Sequence, residues 1–172
     1  MRRIIFTVLM LTTLVRESAH AMPEAQSLGL GVMVGSASAV TGKFWIIEQG
    51  AVDFGVEFMD HPWSVLYADF LWHVPELFGK SSRFARETAL YFGAGAGVGF
   101  WDRTDTCGRW DCRWKSNSTG SGTGMFLRAV LGMEWYPRRT RFGIFAELDP
   151  TYLWYPSSVT TYDAAVGGRY YF

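Results

Sequence analysis

The sequence predicts an all-β protein, an eight-stranded antiparallel up-and-down transmembrane β-barrel. Three observations predict it. Eight segments carry apolar residues at every second position. The opposite face of those segments is built from glycine and charge, and the chain opens on a short basic and apolar leader. Within 172 residues there is room for one domain. Lys and Arg number 16 and Asp and Glu 16, so no basic surface points to nucleic acid and no acidic excess points to disorder. Charged residues make up only 19% of the chain and aromatic ones 17%, and lysine occurs only at 43, 80 and 115.

Arg2 and Arg3 precede an apolar run from Ile4 to Val15, followed by Ala19-His20-Ala21. This is the pattern of a secretory signal peptide over 1–21, leaving 22–172 as the barrel domain. Arg16 and Glu17 close the run before the roughly 20 residues a spanning helix needs. The leader gone, 13 basic and 15 acidic residues remain, and no cysteine follows the cleavage site to carry a lipid anchor.

The strands follow in order. Leu28, Leu30, Val32 and Val34 alternate with Gly29, Gly31, Met33 and Gly35. A weaker segment, Val40 to Ile46, sets Phe44 and Ile46 against Lys43 and Trp45. Val52, Phe54, Val56 and Phe58 oppose Asp53, Gly55 and Glu57. Leu66, Ala68, Phe70 and Trp72 oppose Tyr67, Asp69 and His73. From Leu90 to Phe100 the alternate positions are glycine at 93, 95, 97 and 99, which speaks against a helix, where each glycine costs about 1 kcal/mol. Met125, Leu127, Ala129, Leu131, Met133 and Trp135 oppose Arg128, Gly132 and Glu134. Phe142, Ile144, Ala146, Leu148, Tyr152 and Trp154 oppose Glu147, Asp149 and Thr151. Tyr162, Ala164, Val166, Tyr170 and Phe172 oppose Asp163, Gly167 and Arg169.

No charge falls on the apolar faces. A soluble sandwich or lipocalin-like barrel also alternates, but its water-facing side is rich in lysine and glutamate and its aromatics gather inside. Here aromatics stand near the ends of the apolar faces (Phe58, Trp72, Trp135, Phe142, Trp154, Tyr162, Tyr170, Phe172), as membrane-interface girdles do. Eight strands put both termini on one side, the periplasm for an exported chain. Short turns are then expected there and long loops outside. The 102–122 connection and the Pro137–Thr140 turn agree. Pro75 to Glu87 is long for a periplasmic turn, and a cap on the barrel's inner mouth is one role open to it.

The chain ends in Arg169-Tyr170-Tyr171-Phe172, and its terminal aromatic resembles the signal that outer-membrane barrels present to their assembly machinery. The stretches Gly42-Lys43-Phe44-Trp45, Leu66 to His73, Gly132 to Pro137 and Phe145 to Pro150 resemble those of an uncharacterised bacterial family of small secreted barrels, similar to the OmpA/OmpX-type eight-stranded transmembrane domain. The resemblance implies a fold and an outer-membrane location, with attachment to host or neighbouring molecules suggested for some relatives and no known activity. Membrane lipid and lipopolysaccharide would surround such a barrel.

Two groups of residues remain as candidates for function. Cys107 and Cys112 frame Gly108-Arg109-Trp110-Asp111 in the long outer connection, and an even pair in an exported chain is expected to be a disulfide. Two thiols without nearby histidines make a poor zinc site, and no cofactor is expected. With Arg113 and Trp114, the residues Arg109, Trp110 and Asp111 are the kind that make binding hot spots for an extracellular partner; a solvated, lipopolysaccharide-facing loop is the plainer reading. Gly120 to Gly124 reads as a flexible return to the sixth strand, without the lysine and helix of a phosphate loop. The second group faces inward: Lys43, Asp53, Glu57, Asp69, His73, Arg128, Glu134, Glu147, Asp149 and Arg169. A barrel of eight strands has an interior just wide enough for side chains, so these are expected to pair into a salt-bridged plug. A lipid-modifying enzyme would need a nucleophile and base near the rim. His73 and Asp69 share a face, but no motif ties a serine to them, and the expectation is a protein that is not an enzyme. A narrow pore is the third reading.

Overall fold

The computed structural model of the protein describes residues 27–36, 38–58, 63–75, 77–79, 81–101, 122–137, 140–156 and 158–172. Eight strands succeed one another: β1 (Leu28–Gly35), β2 (Ser38–Ile47), β3 (Gly50–Phe58), β4 (Trp63–Pro75), β5 (Thr88–Trp101), β6 (Gly122–Trp135), β7 (Phe142–Tyr155) and β8 (Val159–Tyr171). One helical turn, α1 (Arg83–Arg86), stands between β4 and β5. Each strand pairs antiparallel with the next, and β8 pairs back onto β1, closing the barrel in up-and-down order. No helix among the described residues is long and apolar enough to cross a membrane.

The period of two decides which face looks where, because successive side chains of a strand point to opposite sides. On β1, Val32 and Val34 are 60% and 57% exposed, whereas Met33 between them is 3% exposed. The same division holds around the barrel, with Phe70, Phe92, Leu131 and Leu148 outside and Asp69, Tyr91, Val130 and Glu147 inside. Ser27 and Phe172 lie at one end, tied by the Phe172 N–H donating to the Leu28 carbonyl (3.0 Å). Near this terminal end the outer face carries Trp72, Trp135, Phe142, Tyr170 and Phe172. Near the opposite, loop end it carries Phe58, Trp154 and Tyr162.

Several strands outrun the alternation that reveals them. Gly122, Thr123 and Gly124, expected in a flexible return, belong to β6 and pair with Trp101, Phe100 and Gly99. The strong β5 partner extends the ladder across them even though glycine contributes no side chain to hold it. β7 carries Pro150 in mid-strand. Proline has no N–H to give a ladder, and the β6–β7 pairing steps from Arg128 with Thr151 to Leu131 with Leu148, leaving out Ala129, Val130, Asp149 and Pro150. On its other side Pro150 keeps its place opposite Tyr162 of β8.

The interior is not purely polar. Met33, Val65, Tyr67, Phe126, Phe145 and Leu153 cluster in one apolar group, Leu71, Tyr91 and Val130 in a second, and Trp45, Ala51, Ala89, Tyr136 and Tyr171 in a third at the terminal end. Inward glycines make room for these large residues: a Cβ on Gly132 would collide with the Tyr91 ring. Trp45 is fully buried and is the largest side chain of the terminal-end cluster. Trp45→Ala is expected to destabilise the barrel by about 3–5 kcal/mol, the usual loss for a buried tryptophan, measured as a shift in the urea midpoint of the reconstituted protein.

Candidate functional site: the charged lumen

The ten residues singled out as the inward group stand inside the barrel and are buried: Lys43, Asp53, Glu57, Asp69, His73, Arg128, Glu134, Glu147, Asp149 and Arg169. They sort into two networks. Toward the terminal end, Lys43 Nζ lies 2.6 Å from Glu134 Oε2. Arg169 reaches Asp53 Oδ2 (2.7 Å), Glu147 Oε1 (3.5 Å) and Glu134 Oε2 (3.7 Å) and donates to Thr41 Oγ1 (2.9 Å). Thr41 donates in turn to Asp53 Oδ1 (3.0 Å), Tyr91 to Glu147 Oε1 (2.9 Å) and Tyr171 to Glu134 Oε1 (2.6 Å). Each buried carboxylate here meets a cation and a hydroxyl, which is what makes its burial tolerable.

Toward the loop end, Arg128 donates from Nη1 to Glu57 Oε1 (2.9 Å), and from Nε (3.0 Å) and Nη2 to Asp69 Oδ2. The Asp69–Arg128 pair reaches across an intervening strand. Asp69 of β4 and Arg128 of β6 both stand in register with Gly95 of β5. A Cβ on Gly95 would strike the Asp69 carboxylate, so the missing side chain is the space the ion pair occupies. Both guanidinium groups also lie on aromatic faces, Arg128 3.9 Å from the Tyr67 ring centre and Arg169 3.8 Å from that of Phe145.

Three cations, Lys43, Arg128 and Arg169, thus face six buried carboxylates. Asp149 Oδ1, like Asp69 Oδ1 and Glu147 Oε2, has no hydrogen-bond partner among the described residues. Asp149 lines a cavity of about 20 Å³ with Glu57, Arg128, Thr151 and Asp163, room for about one water. Lumen-facing side chains thus leave little free space at this level.

His73 makes no acid–base pair. Its ring sits between Trp45 (centroids 4.3 Å) and Tyr91 (5.1 Å), Nδ1 is 3.3 Å from the Gln49 carbonyl, and Nε2 has no hydrogen-bond partner among the described residues. Asp69, on the same strand, is committed to Arg128. No group of three or more His, Cys, Asp or Glu among the described residues could hold a metal ion. Thr41, Tyr91 and Tyr171 belong to the network although composition gave them no prominence. Their parity along β2, β5 and β8, matching Lys43, Gly93 and Arg169, is the signal that places them inside. Cys107, Arg109, Trp110, Asp111, Cys112, Arg113 and Trp114 lie outside the described residues, as does 1–21.

No protein family and no curated protein matches the sequence. In three dimensions the chain is similar to the N-terminal β-barrel domain of Pseudomonas aeruginosa OprF, with a TM-score of 0.61 and 14% identity over 86% of this chain and 98% of that one. It is also similar to Neisserial surface protein A (NspA), with a TM-score of 0.50 and 13% identity over 85% of this chain and 94% of that one. The likeness shows that this chain shares their fold.

Removing one partner of a buried ion pair costs more than removing all of them, because the survivors keep their charge without compensation. Arg128→Met, which strands Asp69 and Glu57, is therefore expected to destabilise the barrel by about 3–5 kcal/mol. Adding Asp69→Asn and Glu57→Gln should restore a large part of that loss. Urea titrations of the single and triple variants check both.

Proposed function

We propose that the protein is a small integral outer-membrane barrel with both termini in the periplasm, whose role is envelope structure or adhesin-like surface recognition rather than catalysis. The observation that carries this reading is the reversal of its side chains: charge is buried inside, and Val32, Phe54, Leu66, Phe92, Leu127, Leu148 and Val166 are exposed outside. Water rarely tolerates a contiguous apolar surface of more than a few hundred Å² on a monomer. A bilayer requires such a surface, and closure of β8 on β1 leaves no unpaired sheet edge in the hydrocarbon.

With the lumen filled by paired charges and aromatic rings, recognition falls to the 102–121 connection. A Cys107–Cys112 disulfide there would hold Arg109, Trp110 and Asp111 in one presentation, flanked by Arg113 and Trp114. That a barrel of similar fold is a surface protein supports the same direction. Lipopolysaccharide would surround this loop, and Phe172 at the end of β8, 67% exposed beside Tyr170, would be offered to the assembly machinery.

The purified protein should shift its gel mobility on boiling, and protease added to intact cells should cut within 102–121. Leu148→Arg, near the middle of the apolar band, should cost about 2–4 kcal/mol. A partner found by screening should lose binding tenfold or more on Trp110→Ala, about 1.4 kcal/mol or above, with the mobility shift intact. A protein that stays soluble and does not shift would overturn the membrane reading.

A further inference from the structure

We infer that the β4–β5 connection, from Leu77 to Glu87, is a membrane-surface anchor that seats on the phospholipid leaflet at the terminal end of the barrel. Phe84 enters the acyl boundary, and Arg83 and Arg86 stand at headgroup level. This rests on the membrane reading above and adds a second, lateral attachment to it.

Connections at this end need little chain: β2 and β3 are joined by Glu48 and Gln49 alone. Between β4 and β5 twelve residues, 76–87, intervene. The part around α1 is clamped to the rim. Ser82 Oγ accepts from the Ala85 N–H (3.0 Å), and Thr88 Oγ1 donates to the Phe84 carbonyl (2.8 Å). The buried Glu87 carboxylate accepts from Arg83 Nε (2.9 Å) and Trp135 Nε1 (3.3 Å), while the Glu87 carbonyl accepts from the Tyr136 N–H (2.7 Å). The clamp turns Ala85 and Glu87 inward and holds Phe84 outward, 57% exposed. Leu77 and Phe78 are exposed as well.

A cap over the inner mouth would point these side chains the other way, and that mouth is already filled by Trp45, Tyr136 and Tyr171. Instead the Phe84 ring lies 6.2 Å from that of Trp135, the last residue of the outward stripe that runs Met125, Leu127, Ala129, Leu131, Met133. The apolar surface of the barrel therefore continues past the strand ends onto α1. An aromatic ring flanked by arginines fits one occupant, the boundary between acyl chains and phosphate, where the ring is covered and guanidinium groups meet phosphate oxygens.

The test uses nitroxide labels, in a Cys107→Ser/Cys112→Ser background, on Phe84→Cys and Phe78→Cys. Leu131→Cys is the lipid control and Thr140→Cys, in the neighbouring turn, the water control. Each protein is reconstituted into phosphatidylethanolamine/phosphatidylglycerol vesicles and checked for the boiling shift. At 84 and 78, collision with a water-soluble nickel chelate should be several-fold below that at 140, with oxygen collision raised toward that at 131. Chelate access equal to that at 140 would overturn the anchor. Shielding from both reagents would also overturn it, showing a second copy or another protein as the cover. Chelate access at 131 would sink the membrane reading itself.

Discussion

Closure of β1 onto β8 is the constraint on which the rest of the structure depends. A sheet of eight strands that joins its own edges encloses a cylinder barely wider than two opposed side chains. Every inward position is thereby placed in competition with its neighbours for the same volume. Several large residues are accommodated where the adjacent strand offers only glycine. Tyr91 lies over Gly132, Phe145 over Gly167, and the Asp69–Arg128 pair over Gly95. The glycines that look like gaps in a strand sequence are the complement of these side chains.

The same narrowness fixes the electrostatics. Lys43, Arg128 and Arg169 are buried, and so are the carboxylates they meet. Paired charges in such a place are weak contributors to net stability but strict arbiters of geometry, since any misplacement leaves a charge alone. Rings beneath the guanidinium groups add contact without adding polarity. The interior is consequently a packed core in which ionic pairs and aromatic rings stand among a few aliphatic residues, while most of the large apolar side chains are on the outside.

The fold was legible because period two is a local signal: Leu30, Val32 and Val34 declare their face within a few residues of chain. The membership of the lumen was legible for the same reason, since a charge at 128 or 169 shares its parity with its strand. The pairing was not. Arg169 meets Asp53, 116 positions away, through the register of several ladders, which no local pattern encodes. Inward rings such as Phe126 and Phe145 were hidden because a ring fits either face of a strand. The turn at 83–86 left no periodic trace at all, being only four residues long. The alternation from Phe142 to Trp154 carried the seventh strand through Pro150, where the ladder on the β8 side is maintained.

Arg169 has partners on four strands: Thr41 on β2, Asp53 on β3, Glu134 on β6 and Glu147 on β7. It stands on β8, the strand that closes the barrel against β1. Without β8, Asp53 and Glu147 would lack their shortest cationic contact, and the lumen would hold negative charge with too little to oppose it. Sealing the barrel and balancing the charge of its lumen are thus one event, joined in a single side chain.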